Sequence, residues 1–509
     1  MDFLSSHLLS VILFFPVFAA ILILFLPKGE DKLVRWTALI ASLVPFVLTV
    51  VLWLNFDASA SSVFQFEESY IWYAAINSNF HLGVDGISLS MVLLTTLLTP
   101  LAILASFSIK EKVKAYMMLF LFLEMGMLGV FMSMDLLIFF VFWEIGLVPM
   151  YFLINQWGSS NRNYASLKFM IYTVGGSLGL LLAIQLLGVS FGTYDIGELI
   201  SHFNYSAVLH NIPLNMDINA VKAISFWAFV VAFAIKVPVW PFHTWLPDAH
   251  TEAPTAGSMI LAGVLLKLGA YGFIRLVLPL YPAESAHFAG WLAFLAVMAI
   301  VFGAFGAYGQ TDFKRLVAYS SVNHMGFVLL GIAAAAKAIG TANAHIAMNG
   351  AILQMFNHGL SAAGMFFLVG VIYERTHTRD LREFGGLFPL VPVYGGILIF
   401  TSMASLGLPG LNGFVSEFLV VRGAWGELAG YTAAAMLGLL FTGAYILKGV
   451  KNVLHGPMNE EWAHGEHKLT DINTREIVVM VPLMALMLSL GIWPGWLLTV
   501  INNAVTALF

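Results

Sequence analysis

The chain has 509 residues, of which 60% are hydrophobic and 10% are charged, so it does not have the composition of a soluble domain, where about one residue in four is charged. The net charge of -5 and the lack of a basic block argue against nucleic acid as a partner. The chain contains no cysteine, which excludes disulfides and removes the usual ligands of an iron–sulfur cluster. We therefore expect an all-α polytopic membrane protein with no redox centre of its own.

The hydrophobic pattern predicts about fourteen transmembrane helices, at about 20 apolar residues per crossing. No convincing small-residue cleavage site follows the first of them, so it is interpreted as a retained helix. No soluble domain interrupts the bundle, and residues 1–509 are expected to form a single transmembrane domain. The predicted spans lie near residues 5–27, 34–54, 86–108, 115–132, 135–155, 166–190, 223–240, 257–279, 288–308, 317–336, 345–373, 391–424, 430–450 and 477–499.

Basic residues are concentrated in alternate loops, which predicts the orientation of the chain. By the positive-inside rule the odd-numbered loops are cytoplasmic, so both termini lie outside. The default location is the bacterial inner (plasma) membrane, with an organelle as the alternative. The two longest links, 55–84 and 191–221, are expected to form ordered caps on the outer side, or else a partner-binding surface. The odd loops contain Lys28, Lys32, Arg35, Lys110, Lys112, Lys114, Arg162, Lys168, Lys314, Arg315, Arg375, Arg379, Arg382, Lys451, Lys468 and Arg475.

Two of the predicted spans are expected to be broken beside an ionisable residue. In the seventh span Lys236 precedes Pro238 and Pro241, and in the twelfth a stretch rich in glycine and proline, 407–413, precedes Glu417. A charge and an unpaired backbone are both costly in a bilayer unless protein or water satisfies them, so the pattern predicts a water-lined ion path. The matching plan also predicts two inverted five-helix repeats, 115–279 and 288–450, flanked by helices within 1–108 and 477–499.

Three charged residues in apolar spans are candidates for this path. Lys236 is the strongest, because burial readily changes the proton affinity of a lysine. Glu144, with no other charge within about two helical turns, is interpreted as its partner, or alternatively as a structural carboxylic acid kept neutral by burial. Lys267 has small residues around it that let helices or water approach; the alternative is a lysine that extends to the membrane surface.

Two histidines on consecutive predicted spans form a polar stripe with their neighbours. Ser320 and His324 share one face of the tenth span, and Gln354 and His358 belong to a similar stripe on the eleventh. Imidazole accepts and donates protons near neutral pH, so both histidines are candidates for a relay. A hydrogen-bonded structural role is the alternative for each.

Other polar residues suggest simpler roles. Asp135 lies at a predicted helix start and is expected to cap it, whereas Glu124 is expected either to influence Glu144 or to be structural. The irregular spacing of two histidine sets argues against a metal site in either. These sets are His243, Asp248 and His250, and His455, His464 and His467.

Three long segments resemble the antiporter-like, proton-translocating subunits of respiratory complex I. They read WLPDAHTEAPTAGSMILAGVLLKLGAYG (245–272), QTDFKRLVAYSSVNHMGFVLLG (310–331) and HGLSAAGMFFLVGVIYERTHTRD (358–380). Glu417, in LPGLNGFVSEF, resembles the glutamate of the chain M type (mitochondrial subunit 4 type), whereas sister subunits and multisubunit sodium/proton antiporters usually carry lysine there.

The resemblance implies a function. Glu144 and Lys236 would form an ion pair, and Glu417 would end the second half-channel. Lys267 and His324 would form a central relay, with His358 as a neighbouring candidate. The chain would move protons while NADH:quinone chemistry, with flavin and iron–sulfur clusters, takes place in partner subunits, and it would contact other membrane subunits and lipids. The alternative is a subunit of a multisubunit sodium/proton antiporter, and a passive scaffold is a third possibility.

Overall fold

The computed structural model describes residues 6–60, 64–204, 216–463 and 468–509. The two histidines His464 and His467 of the second predicted histidine set lie outside the described residues, as does the 205–215 part of the link 191–221. Most of the described chain is helical, which confirms the predicted fold class.

Helices occupy both halves of the described chain. Up to residue 252 they are α1 (Leu8–Leu24), α2 (Asp31–Asn55), α3 (Gly86–Ala105), α4 (Val113–Met132), α5 (Leu136–Ile145), α6 (Leu147–Trp157), α7 (Arg162–Phe191), α8 (Ile196–Asn204), α9 (Ile218–Lys236) and α10 (Trp245–Glu252). From residue 255 onward they are α11 (Thr255–Leu280), α12 (Pro282–Gly309), α13 (Phe313–Lys337), α14 (Ala342–Thr376), α15 (Pro392–Leu406), α16 (Asn412–Ala424), α17 (Ala429–Leu454), α18 (Thr474–Ile492) and α19 (Gly495–Ala507).

Twelve helical stretches in the described residues are long and apolar enough to cross a membrane. Two shorter apolar helices, α1 and α15, fall at the first and twelfth predicted spans. The predicted spans thus each have a helical counterpart, while the exact number of crossings and the two inverted repeats stay predictions.

A β-hairpin is the one addition to the all-α prediction within the described residues. Strands β1 (Gln65–Tyr73) and β2 (Ser78–Val84) pair antiparallel in the link between α2 and α3. Aromatic and β-branched residues in β1 favour an extended chain, and Asn77 supplies the left-handed turn residue at φ 53°. The hairpin is fixed to the bundle because the Glu68 carboxylate accepts the Leu9 N–H at 2.8 Å and the His81 carbonyl accepts the Met134 N–H at 2.9 Å. The expectation of an ordered cap is confirmed for this link.

Three predicted spans differ from the structure in their details. The span 135–155 consists of α5 and α6, which meet at Gly146, because Pro149 has no N–H to donate to the Ile145 carbonyl. The span 223–240 ends earlier, at Lys236. The span 477–499 is wrong as a single helix: α18 ends at Ile492 and α19 begins at Gly495, because Pro494 prevents the preceding residue from continuing the helix.

The centre of the bundle is formed by α11, α13 and α14. These are the most completely buried of the candidate spans, whereas α2, α12, α17 and α18 expose much of their surface to the surroundings. Helix α14 packs along α13 and α16, and α11 packs against α9 and α14. The three most buried helices therefore carry three of the six predicted site residues: Lys267, His324 and His358.

Candidate functional site

Helix α9 ends at Lys236 in a break that other residues satisfy. Pro238 cannot continue the helix, and the chain turns through 237–244 before α10 begins. The Trp245 indole donates to the freed Ile235 carbonyl at 2.9 Å, and the Val239 N–H bonds the Ala234 carbonyl at 2.8 Å. The predicted break is confirmed, and it leaves the ammonium of Lys236 in a buried position with only 2% of the residue exposed.

Lys236 and Glu144 are neighbours but do not form an ion pair. The Lys236 Nζ lies over the Trp143 ring, 5.1 Å from its centroid, and Trp143 directly precedes Glu144 at the end of α5. No contact within 4.0 Å joins the Lys236 ammonium to the Glu144 carboxylate, and the buried Glu144 Oε1 has no hydrogen-bond partner among the described residues. The predicted direct pairing is therefore not present in this conformation, in which the Lys236 ammonium lies over the face of the Trp143 ring instead.

Lys267 lies in the middle of α11 and is completely buried. Two π-helical stretches, Leu261–Leu265 and Phe273–Val277, flank its turn. Such widened turns often accompany functional sites. The Lys267 Nζ donates to the Ala262 carbonyl and contacts His358 Nδ1 at 2.8 Å. A lysine that extends to the membrane surface is thereby excluded.

Gly269 lets α9 and α11 approach closely beside these two lysines. A Cβ at this position would lie 2.8 Å from the Phe233 carbonyl oxygen and 3.0 Å from the Lys236 Cβ. Gly263 and Gly359 make a similar close approach between α11 and α14, where a Cβ on Gly359 would lie 2.9 Å from the Gly263 carbonyl oxygen. The small residues predicted to let helices approach Lys267 do so on both sides.

His358 and His324 continue the polar row from α14 to α13. Their ring centroids are 5.7 Å apart, and both residues are buried. The His358 Nδ1 must accept the hydrogen bond from a charged Lys267, since an ammonium group has no lone pair, and its Nε2 then carries the ring proton. That buried Nε2 has no partner among the described residues, so it is free to pass a proton onward.

Glu417 ends the row at the second broken helix. His324 Nδ1 lies 2.8 Å from Glu417 Oε1, and the Gln354 amide donates to the same oxygen at 3.1 Å. The chain turns between α15 and α16 through Gly407 at φ 84°, and a Cβ there would lie 3.3 Å from Glu417 Oε2. The predicted break in the twelfth span is confirmed, and it places the Gly407 turn against the Glu417 carboxylate.

The geometry joins four of the six predicted site residues into one row. Hydrogen bonds connect Lys267 to His358 and His324 to Glu417, and the two histidine rings face each other between them. Lys236 lies beside the row across Gly269, and Glu144 lies beyond Trp143. Alternating donors and acceptors of this kind exchange protons along a line when water fills the remaining gaps.

Two buried residues near the row were not predicted as part of it. His250, in α10, is fully buried, stacks on Phe366 with centroids 4.3 Å apart, and has no hydrogen-bond partner for either ring nitrogen among the described residues. Lys314, at the start of α13, is buried and donates to the Ala253 carbonyl. His250 was considered only as a metal ligand; its place between two lysine-bearing helices was the signal that could have identified it.

The predicted capping role of Asp135 is confirmed, and the other polar residues have the following contacts in the described part of the chain. Asp135 caps α5 by accepting the N–H groups of Leu137 and Ile138. Asp248 binds Lys168 at 2.7 Å instead of joining a metal set. No cluster of metal-ligating residues occurs within the described ranges. Glu124 is fully buried, and its two carboxyl oxygens have no partner in the described part of the chain.

Known proteins resemble the chain along nearly its whole length. The family model described as NADH:quinone oxidoreductase/Mrp antiporter, TM, matches residues 133–444. NADH-quinone oxidoreductase subunit M of Rhodobacter capsulatus is 40% identical over 507 residues, which cover 99% of this chain and 96% of that protein. A chain of respiratory complex I from Thermus thermophilus with bound NADH superposes with a TM-score of 0.83 and 27% identity, covering 98% of this chain and 99% of that one. A chain of the Mrp complex from Dietzia sp. DQ12-45-1b superposes with a TM-score of 0.83, covering 99% and 97%, and at 21% identity it shows the fold alone.

Proposed function

Because the chain belongs to the NADH:quinone oxidoreductase/Mrp antiporter membrane family, we propose that its buried row of charged and imidazole groups carries protons across the membrane. The chain is an antiporter-like membrane subunit of an NADH-quinone oxidoreductase. The observation that supports the proposal most is the hydrogen-bonded row Lys267–His358 and His324–Glu417 between the two broken helices.

Protons enter beside Lys236 and Glu144 and leave through the break beside Glu417. When Lys236 and Glu144 move into direct contact, each stabilises the charge of the other, and separating them favours transfer of a proton from Lys236 toward Lys267. Lys267 passes its proton to His358 Nδ1, and His358 Nε2–H donates toward His324. His324 then protonates Glu417, whose second oxygen lies against the Gly407 turn. Lysine suits the entry positions because it exchanges protons when buried, whereas arginine stays charged.

The redox reaction takes place in other subunits. Cysteine is absent from the chain, so it has no thiolate to ligate an iron–sulfur cluster. We propose that flavin and iron–sulfur clusters reside in partner subunits, and that neighbouring antiporter-like subunits contact this chain in the membrane. The protein lies in the inner (plasma) membrane as a multi-pass chain, with the odd-numbered loops cytoplasmic and the termini outside.

The proposal is tested by replacing Lys236 with alanine in the assembled complex. Vesicles containing the complex are supplied with NADH and quinone, and the protons moved per electron are measured together with the rate of NADH oxidation. We expect Lys236→Ala to lower the ratio, while the matched control Lys337→Ala, an exposed lysine at the end of α13, leaves it unchanged. An intact ratio and rate in Lys236→Ala would contradict the proposed relay.

A sodium/proton antiporter subunit is the second candidate, and the fold shared with the Mrp complex supports it. Glu417 favours the first candidate, because the antiporter relatives usually carry lysine at this position. Sodium-dependent proton exchange in vesicles without any electron donor would favour the antiporter. Retained assembly with lost pumping in Glu144→Gln would exclude a passive scaffold.

A further inference from the structure

A groove with a basic rim lies between the link that joins α1 to α2 and the first turns of α4, and no residue of the proton row lines it. Its volume is about 610 Å³. Four lysines line its rim, and apolar side chains of α4 and α1 line its deeper part. We call it the basic groove and define it by Lys28, Lys110, Lys112, Lys114, Met118 and Phe122.

The rim carries a surplus of positive charge. The four lysines are opposed by one lining carboxylate, that of Asp31. Lys114 Nζ donates to the Leu26 carbonyl at 2.7 Å, and Lys112 Nζ donates to Gln156 Oε1 at 2.9 Å, so these two lysines hold the walls in place. Lys28 and Lys110 are exposed and form no hydrogen bond or ion pair with the described part of the chain. Two ammonium groups therefore remain available to an anion.

The deeper part of the groove is apolar and continues into the lipid-facing surface. Lys114, Met118 and Phe122 follow one another at intervals of four residues, so they lie on one face of α4, about 12 Å from first to last. On the opposite wall α1 exposes 54% of Leu24, and further down its length 60% of Phe18. A charged rim above a continuous apolar wall matches the shape of a lipid whose headgroup is anionic.

We propose that the basic groove binds an anionic phospholipid, with its phosphate between Lys28 and Lys110 and an acyl chain along Met118 and Phe122. No side chain among the described residues caps the N-terminus of α4, so the first N–H groups of this helix add donors and a favourable dipole to the lysines. A hydrophobic helix of a neighbouring protein in the same place would offer no negative charge to the two free ammonium groups, whereas a lipid phosphate does. The inference does not depend on the proposed proton path.

Native mass spectrometry of the full chain tests the proposal. The chain is purified in detergent and titrated with phosphatidylglycerol, with phosphatidylcholine of the same acyl chains, and with glycerol 3-phosphate. We expect one phosphatidylglycerol to bind in preference to the other two. The double variant Lys28→Gln/Lys110→Gln should weaken this binding about 25-fold, since each lysine near a membrane surface contributes about five-fold. The matched control Lys451→Gln/Lys468→Gln removes the same charge from exposed lysines on other elements and should leave it unchanged.

A second variant separates lipid binding from simple charge attraction. Ala115 is exposed and lines the groove, so Ala115→Trp fills the groove while it keeps all four lysines. We expect this variant to lose phosphatidylglycerol while its melting temperature stays unchanged. The proposal would be overturned if phosphatidylcholine bound as tightly as phosphatidylglycerol, or if the two double variants lost the same amount of phosphatidylglycerol binding. Displacement of the lipid by equimolar glycerol 3-phosphate would also overturn it. So would a photoreactive residue at position 115 that labels a protein subunit and no lipid in the assembled complex.

Discussion

A direct hydrogen bond joins Lys267 and His358, so these two residues are expected to act as one unit in proton transfer. The Lys267 Nζ and His358 Nδ1 are 2.8 Å apart on two different helices. The sequence identified both residues because each is polar in an apolar span, but it did not predict which partner each one has. That pairing depends on how α11 and α14 approach each other at Gly263 and Gly359. The sequence of one span does not show which other helix it will contact.

A double-mutant cycle measures this coupling. Lys267→Ala and His358→Ala should each lower the rate of proton pumping by about ten-fold or more, and the double variant should be no worse than the worse single variant, because residues that act as a unit are strongly non-additive. Pumping is followed in vesicles with a pH-sensitive dye, and NADH oxidation with an artificial acceptor reports assembly. Losses that multiply in the double variant would mean that the two residues act independently.

Glu144 and Lys236 were predicted to be in contact, but in the structure they are not. The sequence predicted a direct pair, and the structure separates the two charges by placing the Trp143 ring against the lysine. Sequence reasoning identifies the residues that can pair but not the conformation in which they do so.

The contact between α9 and α11 depends on Gly269. A methyl group at this position would approach the Phe233 carbonyl oxygen to 2.8 Å, so the two helices must separate to accept it. We expect Gly269→Ala to destabilise the protein by about 1–3 kcal/mol, as overpacked cores do, and to slow pumping. Thermal unfolding followed by tryptophan fluorescence in detergent measures the change.

Gly175→Ala is the matched control for this prediction. Gly175 lies in α7, and a Cβ there would have no heavy atom within 4 Å. Alanine is favoured over glycine in a helix by about 1 kcal/mol, so this variant should be neutral or slightly more stable. Similar melting temperatures for the two variants would contradict the role assigned to Gly269.

The hairpin is held to α8 by a pH-dependent contact. His81 Nδ1 lies 2.8 Å from Asp195 Oδ2, and Nε2 lies 3.2 Å from Glu67 Oε2. The bond to Asp195 raises the pKa of His81 above its usual value, although burial alone would lower it. Burial alone would likewise raise the pKa of Asp195, but the bonds from His81 and the Glu198 N–H lower it.

Hydrogen exchange of the hairpin should therefore depend on pH. The His81 contribution is complete below the unfolded pKa of histidine and is lost as the pH rises through the raised folded pKa. The Asp195 contribution is complete above its unfolded pKa and is lost as the pH falls through the lowered folded value. The amide protection of residues 64–84, corrected for intrinsic exchange, should be lower above the pKa of His81 than below it, because only the protonated ring gives the extra stability.

Two variants check the assignment to His81. His81→Gln should abolish this pH dependence, because glutamine does not titrate. His287→Gln, at an exposed histidine of α12, should preserve it. Unchanged pH dependence in His81→Gln would assign the effect to another group.

Helices were easier to predict than the links between them. Proline and glycine marked the breaks beside Lys236 and Glu417, since these residues act through local backbone chemistry. The hairpin in 55–84 was predicted only as an ordered cap, because its strands are short and its stability comes from contacts with α1 and the chain before α5. The break between α18 and α19 was missed although Pro494 marks it.

On the scale of the whole molecule, hydrophobic run lengths predicted the bundle, and the resemblance of the segments 245–272, 310–331 and 358–380 indicated its family. What they could not predict is the position of α11, α13 and α14 at the centre, with one buried row of ionisable groups across them. This arrangement follows from small residues that let the helices pack closely, and a linear pattern does not show which helices meet. The row runs from one broken helix to the other, which is why both breaks matter for a single path.

The proton-to-electron ratio of a Glu417→Gln complex tests the central claim most directly. Glutamine keeps an oxygen that can accept the His324 N–H, so the break and the packing should be preserved, but it cannot take up a proton from the row. We predict that NADH oxidation with an artificial acceptor is retained, while the number of protons moved per electron falls. A Glu417→Gln complex that assembles and pumps with the wild-type ratio would contradict the account.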